Sequence, residues 1–215
     1  MEPKVFRKTL TYFAALCFVV FLLMDFAFPG AWEVSSCIKY AALLACVTIA
    51  IVDGDNTLRA ALLLTAACDY MLLFTSNYVP AVLAFACAQA LHAHRHAKLA
   101  QLAVSRSLLP ACAAALAAGA ITLVITRDHL FAASALYATL LLSALSFAVI
   151  AKIRSRCNPA TASYVVVGMF LFLLCDVCVA ASNLGIRQAA PLMWLFYLPS
   201  QWLLASSAHW AEEAS

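Results

Sequence analysis

Charge is scarce in this sequence. Asp, Glu, Lys and Arg make up 11% of its 215 residues, against roughly 25% in soluble domains. So few charges cannot cover a water-facing surface, and a soluble globular fold is excluded. Glycine is sparser still, with 5 residues, and the apolar residues show neither strict alternation nor heptads, so the short dyad-patterned strands of a membrane β-barrel do not fit either. The net charge of +3 is small and sits in loops, so nothing suggests a nucleic-acid partner. No segment is polar enough to form a separate domain.

What is there is apolar side chain, 66% of the chain, gathered in blocks of about 20 residues, the length that crosses a ~30 Å hydrocarbon core as a helix. In lipid the backbone must satisfy its own polar groups, and these blocks do so as helices. The sequence therefore predicts an all-α polytopic membrane protein, one integral domain over 1–215, with eight helices near 9–28, 35–52, 58–76, 79–97, 105–126, 129–151, 160–183 and 191–210. Pro29-Gly30, the Asp53-Gly54-Asp55-Asn56 cluster, Asn158-Pro159 and Pro191 punctuate them. The stretch Thr9–Phe28 behind Lys4, Arg7 and Lys8 is longer than the about 7–15-residue core of a cleavable signal, so it is expected to stay as the first membrane helix.

The thirteen basic residues test this count. Threaded through eight spans, Lys4, Arg7, Lys8, Arg59, Arg95, Lys98, Arg106, Lys152, Arg154 and Arg156 fall on one side, and Lys39, Arg127 and Arg187 on the other. By the positive-inside rule both termini are cytoplasmic. The expected location is a membrane crossed many times, the cell membrane in a bacterium.

Nine cysteines raise the question of disulfides or metal. Cys17, Cys46, Cys68, Cys87, Cys112, Cys175 and Cys178 lie inside apolar runs, where cysteine behaves as a small hydrophobe. Cys175 and Cys178 form a CxxC, but no second pair or adjacent histidine completes a zinc site, so no metal or other cofactor is expected.

Function shows in what the helices bury at a cost. Asp69 in the third helix and Asp176 in the seventh stand near mid-membrane, where a carboxylate costs roughly 2.5–3.5 kcal/mol on insertion scales and usually faces a polar cavity. A single aspartate of this kind is often only a helix-packing hydrogen-bond partner; two on different helices favour a site. Gln89, His92 and His96 share one stripe of the fourth helix, and Tyr197 and Gln201 are one turn apart in the eighth. Asn183 shares a face with Asp176. His94, Arg95 and Lys98 read as the headgroup end of the fourth helix. Lys39 is expected to snorkel to the interface, with inward pairing to an aspartate as the alternative. The Ala-rich run 111–119 and Gly168 suit close helix packing.

These residues carry a resemblance. Cys68-Asp69-Tyr70-Met71-Leu72-Leu73-Phe74 followed by His92 resembles the Gly-Asp-x-x-Leu … His pattern of the YhhN-like family of lysoplasmalogenases. Gly168 to Asn183, with Phe172, Asp176 and the late Asn, is similar to that family's second signature. Tyr197-Leu198-Pro199-Ser200-Gln201 resembles its Tyr-x-x-x-Gln element, and Lys39 falls where the family has a lysine. The likeness spans nearly the whole chain. It departs at Cys68 and Cys175, where a glycine and a small polar residue are expected, and at Arg95, where an aromatic is common; both aspartates remain.

The resemblance implies hydrolysis of the vinyl-ether bond of a lysoplasmalogen to a fatty aldehyde and a glycerophospho-headgroup. Asp69 and Asp176 would be catalytic, and His92, Tyr197, Gln201, Asn183 and Lys39 would hold water or substrate. Its partners would be the lysophospholipid and the surrounding membrane lipid. Two rivals pair aspartates across membrane helices. A proton-coupled transporter would use them as a relay, but inverted repeats are not evident. An intramembrane aspartyl protease would need Gly-x-Gly-Asp, where this chain has Ala67-Cys68 before Asp69.

The topology is checked by cysteine-accessibility labelling in intact cells. The segment holding Lys152 and Arg154 should react only after permeabilisation; labelling from outside would reverse the assignment.

Overall fold

The computed structural model describes residues 3–28, 30–154 and 157–208. Across them run α1 (Pro3–Ala27), α2 (Trp32–Asp53), α3 (Asn56–Tyr70), α4 (Tyr78–Leu99), α5 (Val104–Thr126), α6 (His129–Arg154), α7 (Pro159–Asn183) and α8 (Ala190–Ser206). A π-helical turn, Met71–Thr75, continues α3, and a 3₁₀ turn, Arg187–Ala189, leads into α8. The eight helices match the sequence expectation. Pro29, Arg156 and Trp210, used above to place helix ends and basic charge, lie outside the described residues.

Local chemistry sets the ends. Asp55 caps α3, its carboxylate accepting from the Thr57 and Leu58 amides at 2.9 and 3.0 Å. Asn158 caps α7 through the Ala160 amide at 2.8 Å, with Pro159 at the first helical position where its missing N–H costs nothing. Gly54 ends α2, and a Cβ there would stand 2.3 Å from the Ala50 carbonyl oxygen, so only glycine fits. α1 begins six residues before the expected position 9: the charged residues at its start extend the helix, and Arg7 reaches Asp53 at 3.5 Å.

Short connections make successive helices antiparallel neighbours. α4 packs most extensively on α6 and α7 on α8, with α1 on α2, α3 on α4 and α5 on α6. The α2–α3, α4–α5 and α6–α7 connections share the end that carries Arg59, Lys98, Arg106 and Lys152, here termed the basic face; the other end is the far face. α1 and α5 lie outermost, with only 17% and 11% of their most apolar windows covered by protein, against 56% for α2.

Among the described residues six helices are long and apolar enough to cross a membrane; α4 and α8 are not among them. Eight equivalent spans were expected. α8 has 17 residues, and the basic-face end of α4 carries His92, His94, Arg95, His96 and Lys98. α4 packs on α3, α5 and α6, and α8 on α1, α2 and α7, so neighbouring protein covers much of their surface. That shielding lets them carry the polar residues.

Small residues bring helices together in two places. A Cβ on Gly168 would lie 3.0 Å from Leu204 Cγ and 3.3 Å from Leu203 Cβ, so leucine side chains of α8 press against the α7 backbone. On α5 the Ala-rich run does less than expected: Ala115 and Gly119 are buried, while Ala113, Ala114, Leu116 and Ala117 are exposed. A helix contacting mainly one neighbour buries only one residue in three or four, whatever its composition. Gly168→Leu is therefore expected to destabilise by about 1–3 kcal/mol through overpacking, read as a lower unfolding midpoint in detergent, whereas Ala114→Leu should leave the midpoint unchanged.

Candidate functional site

Asp69 is the penultimate residue of α3, ~20 Å along the helix from its first residue. It is 5% exposed. The Tyr197 hydroxyl, from α8, donates to its carboxylate. Asp176, ~25 Å along α7 from Pro159, is half-buried, and the Tyr137 hydroxyl of α6 donates to it. The two carboxylates lie within electrostatic range of each other, and Cys175 and Tyr137 lie within range of both. Phe85 and Phe172 line the interval between the two tyrosines: ring centroids run 6.0 Å from Tyr137 to Phe85, 6.2 Å from Phe85 to Phe172 and 5.6 Å from Phe172 to Tyr197. Two acid–tyrosine pairs are thus joined by an apolar aromatic wall.

The backbone changes pitch beside Asp69. The π-helical turn starts two residues later, and the chain leaves it through Ser76, whose φ of 54° is left-handed. Such turns interrupt regular α-helix and concentrate at functional sites. Pro199 acts similarly between Tyr197 and Gln201, since it has no N–H to give the Leu195 carbonyl.

Towards the basic face the interior becomes neutral and polar. Gln89, His92 and His96 are fully buried, as their stripe predicted, and so are Thr65, one turn before Asp69, and Gln201, one turn after Tyr197. The His92 and His96 rings lie 5.8 Å apart, and His96 Nδ1 sits 3.0 Å from the Ala144 carbonyl oxygen. Below them Arg95 donates through Nε to Asp55 at 2.8 Å and through Nη1 to the Ser207 hydroxyl at 2.9 Å. Arg95 therefore does not reach for headgroups as expected. It is 4% exposed and ties α4 to α8 and to the cap of α3, because Asp55 and Ser207 offer it acceptors inside the protein. Burial alone would raise the Asp55 carboxyl, but the Arg95 charge and hydrogen bonds from Arg95, Leu58 and Thr57 outweigh it and hold the group below its ordinary value.

Lys39 also departs from expectation. It is 2% exposed and does not snorkel. Its ammonium lies 2.7 Å from Asp25 of α1 and 5.3–5.6 Å from the ring centroids of Phe21, Trp32 and Trp194. An ion pair walled by three aromatic faces offsets the loss of water that snorkelling would have avoided. The partner is Asp25, which no sequence pattern singled out, and Ser35 adds a 2.5 Å hydrogen bond to the same carboxylate. Trp194 also meets Tyr197 at 5.2 Å, so this cluster abuts the Asp69 pair.

Of the residues marked in the sequence, the structure thus joins Asp69 to Tyr197 directly and buries His92, Gln201 and Lys39 as well. Asn183 stands apart, exposed as the last residue of α7. Tyr137 was missed. Its signal was weak but present: a tyrosine deep in an otherwise apolar helix needs a partner for its hydroxyl. Among the described residues no three His, Cys, Asp or Glu side chains form a metal-binding group.

A polytopic helical bundle with two tyrosine-capped carboxylates on separate helices defines the class: a membrane protein with an acidic site in its interior. Residues 31–208 match the YhhN family, and the chain belongs to it. No curated protein and no solved structure matches the chain.

The Lys39 cluster predicts a pattern in stability. Lys39→Ala leaves Asp25 charged in an aromatic setting and should cost about 3–5 kcal/mol. The double variant Lys39→Met/Asp25→Leu should recover most of that loss, measured as unfolding midpoints of the purified proteins.

Proposed function

We propose that this protein is a lysoplasmalogenase-like hydrolase that uses Asp69 and Asp176 to cleave the vinyl-ether bond of a lysoplasmalogen within the membrane. The observation that carries the reading is the pair of carboxylates on α3 and α7, within electrostatic range, each held by its own tyrosine. Membership of the YhhN family and the resemblance of the segments around both aspartates to that family's signatures support it.

The chemistry needs an acid and a base on opposite ends of one small group. A carboxylic acid protonates the alkene carbon remote from oxygen, and the positive charge is shared as an oxocarbenium ion. The other group, as carboxylate, stabilises that cation and takes a proton from the water that attacks it. The resulting hemiacetal collapses: its hydroxyl proton passes to the departing glycerol oxygen, the C–O bond breaks, and aldehyde and glycerophospho-alcohol are released. Water is the only co-reactant. Glycosidases divide labour between two carboxyls against a similar cation. The roles belong to the pair, which titrates jointly. Tyr137 and Tyr197 orient the carboxylates, and the Phe85–Phe172 wall offers an apolar surface to the alkenyl chain. A single-chain lipid can reach such a site sideways from the bilayer.

Asp69→Asn and Asp176→Asn are each expected to lower aldehyde release by about 10²–10⁴-fold, with helix content and lysolipid binding retained, because Asn keeps the shape and loses the proton chemistry. The measurement is aldehyde release from alkenyl-lysophosphatidylethanolamine by the purified protein. Full activity in either variant removes that aspartate from the mechanism. A wild type that moves protons or solute in vesicles without releasing aldehyde would favour a transport relay instead.

A further inference from the structure

Two ties bracket the interior between α3, α4 and α8. The upper one is Tyr197 on Asp69; the lower one joins Arg95 to Asp55 and Ser207. α3 runs up from the lower tie to the upper, and α8 runs down from the upper to the lower. Thr65, four residues before Asp69, and Gln201, four residues after Tyr197, therefore stack beneath the upper tie on the faces that carry it. On α4, His92 and Gln89 rise from Arg95 in successive turns towards the same level.

None of these four side chains has a partner among the described residues. Thr65 Oγ1, both amide atoms of Gln89, both ring nitrogens of His92 and both amide atoms of Gln201 are buried without a hydrogen bond. Buried polar atoms are almost always paired, and leaving one unpaired costs more than the bond would have contributed. Several together on converging faces are satisfied by something that enters. The set is neutral, and every member except the hydroxyl offers separate donor and acceptor positions. An anion would need a cation here, and Arg95 is already committed to Asp55. Water, which makes about three bonds at such sites, matches the set.

We propose that Thr65, Gln89, His92 and Gln201 line a hydrated column that leads from the basic face to Asp69, closed at that face by the Arg95–Asp55–Ser207 tie. The closure follows from exposure across the ion pair: the Asp55 side chain is 52% exposed and that of Arg95 5%, so the border between solvent and interior falls between them. Hydration itself is independent of the hydrolase reading. Only the use of that water as the attacking nucleophile, delivered through the polar side of the site while the alkenyl chain occupies the aromatic side, rests on it.

The test is radiolytic hydroxyl-radical footprinting of the full chain in phosphatidylcholine nanodiscs, which marks buried side chains that sit beside bound water. Tyr197 and His92 should be modified several-fold faster than Phe21, which is 0% exposed and walled by the Phe18 and Trp194 rings. Gln201→Leu, or the gentler Thr65→Val if that variant misfolds, should lower Tyr197 modification several-fold with helix content unchanged. After mixing into H₂¹⁸O, Asp55→Asn, which keeps the α3 cap but withdraws the charge from Arg95, should exchange the column's water faster than wild type. Tyr197 and His92 as unreactive as Phe21 would overturn the column, and unaltered exchange in Asp55→Asn would overturn the closure. Strong modification in a protein that releases no aldehyde leaves the column standing and refutes the hydrolase reading alone.

Discussion

Lipid offers no hydrogen bonds, and that constraint organises this molecule. A backbone solvated by hydrocarbon has to satisfy its own N–H and C=O groups, which is why the described chain is a succession of helices. The same constraint applies to side chains: a carboxylate, ammonium or guanidinium placed at depth has to be met by the protein. Asp69 is met by Tyr197, Asp176 by Tyr137, Lys39 by Asp25 and three aromatic rings, and Arg95 by Asp55 and Ser207. Each of these contacts joins different helices, so satisfying the polar groups also pins the bundle together. With little hydrophobic drive between helices in lipid, such ties and the close α7–α8 contact at Gly168 supply specificity of packing.

The polar ties are sorted by depth and by side. Near the far face lies the Lys39–Asp25 pair, sealed in aromatic rings. Further in are the two acid–tyrosine pairs, separated by Phe85 and Phe172. Towards the basic face the interior is neutral and hydrogen-bonding, ending at the Arg95–Asp55 pair. The proposed hydrolysis needs water brought to an apolar place, and the neutral stretch between the two ties is chemically suited to carry it. The proposed enzyme and the proposed column thus draw on the same economy of polar groups, though each can fail without the other.

Departures from regular helix concentrate beside the acidic residues. The π-helical turn starts two residues after Asp69, and Pro199 sits between Tyr197 and Gln201. Both interrupt a hydrogen-bond ladder that lipid would make costly to break. α5 carries a third interruption, Pro110 inside the helix.

Much was legible in the sequence because its signals are one-dimensional. Length and apolarity of each block, punctuated by Gly54, Asn158 and Pro191, placed eight helices, with the start of α1 six residues out, and the cost of a lone carboxylate in lipid marked Asp69 and Asp176. Helical spacing correctly put Gln89, His92 and His96 on one buried stripe. What the sequence left open was pairing. Nothing in the spacing of Lys39 says that its partner is Asp25 on α1 rather than water at the interface, or that Arg95 turns back to Asp55 and Ser207. Tyr137 is no more conspicuous in α6 than any other tyrosine until α7 brings Asp176 against it. These choices depend on which helices become neighbours and at what rotation, a property of the whole bundle that periodicity within one helix does not contain. Composition and period determined that the chain would be helical, membrane-bound and internally acidic; only the packing of α2, α3, α4, α6, α7 and α8 decided which acid meets which donor.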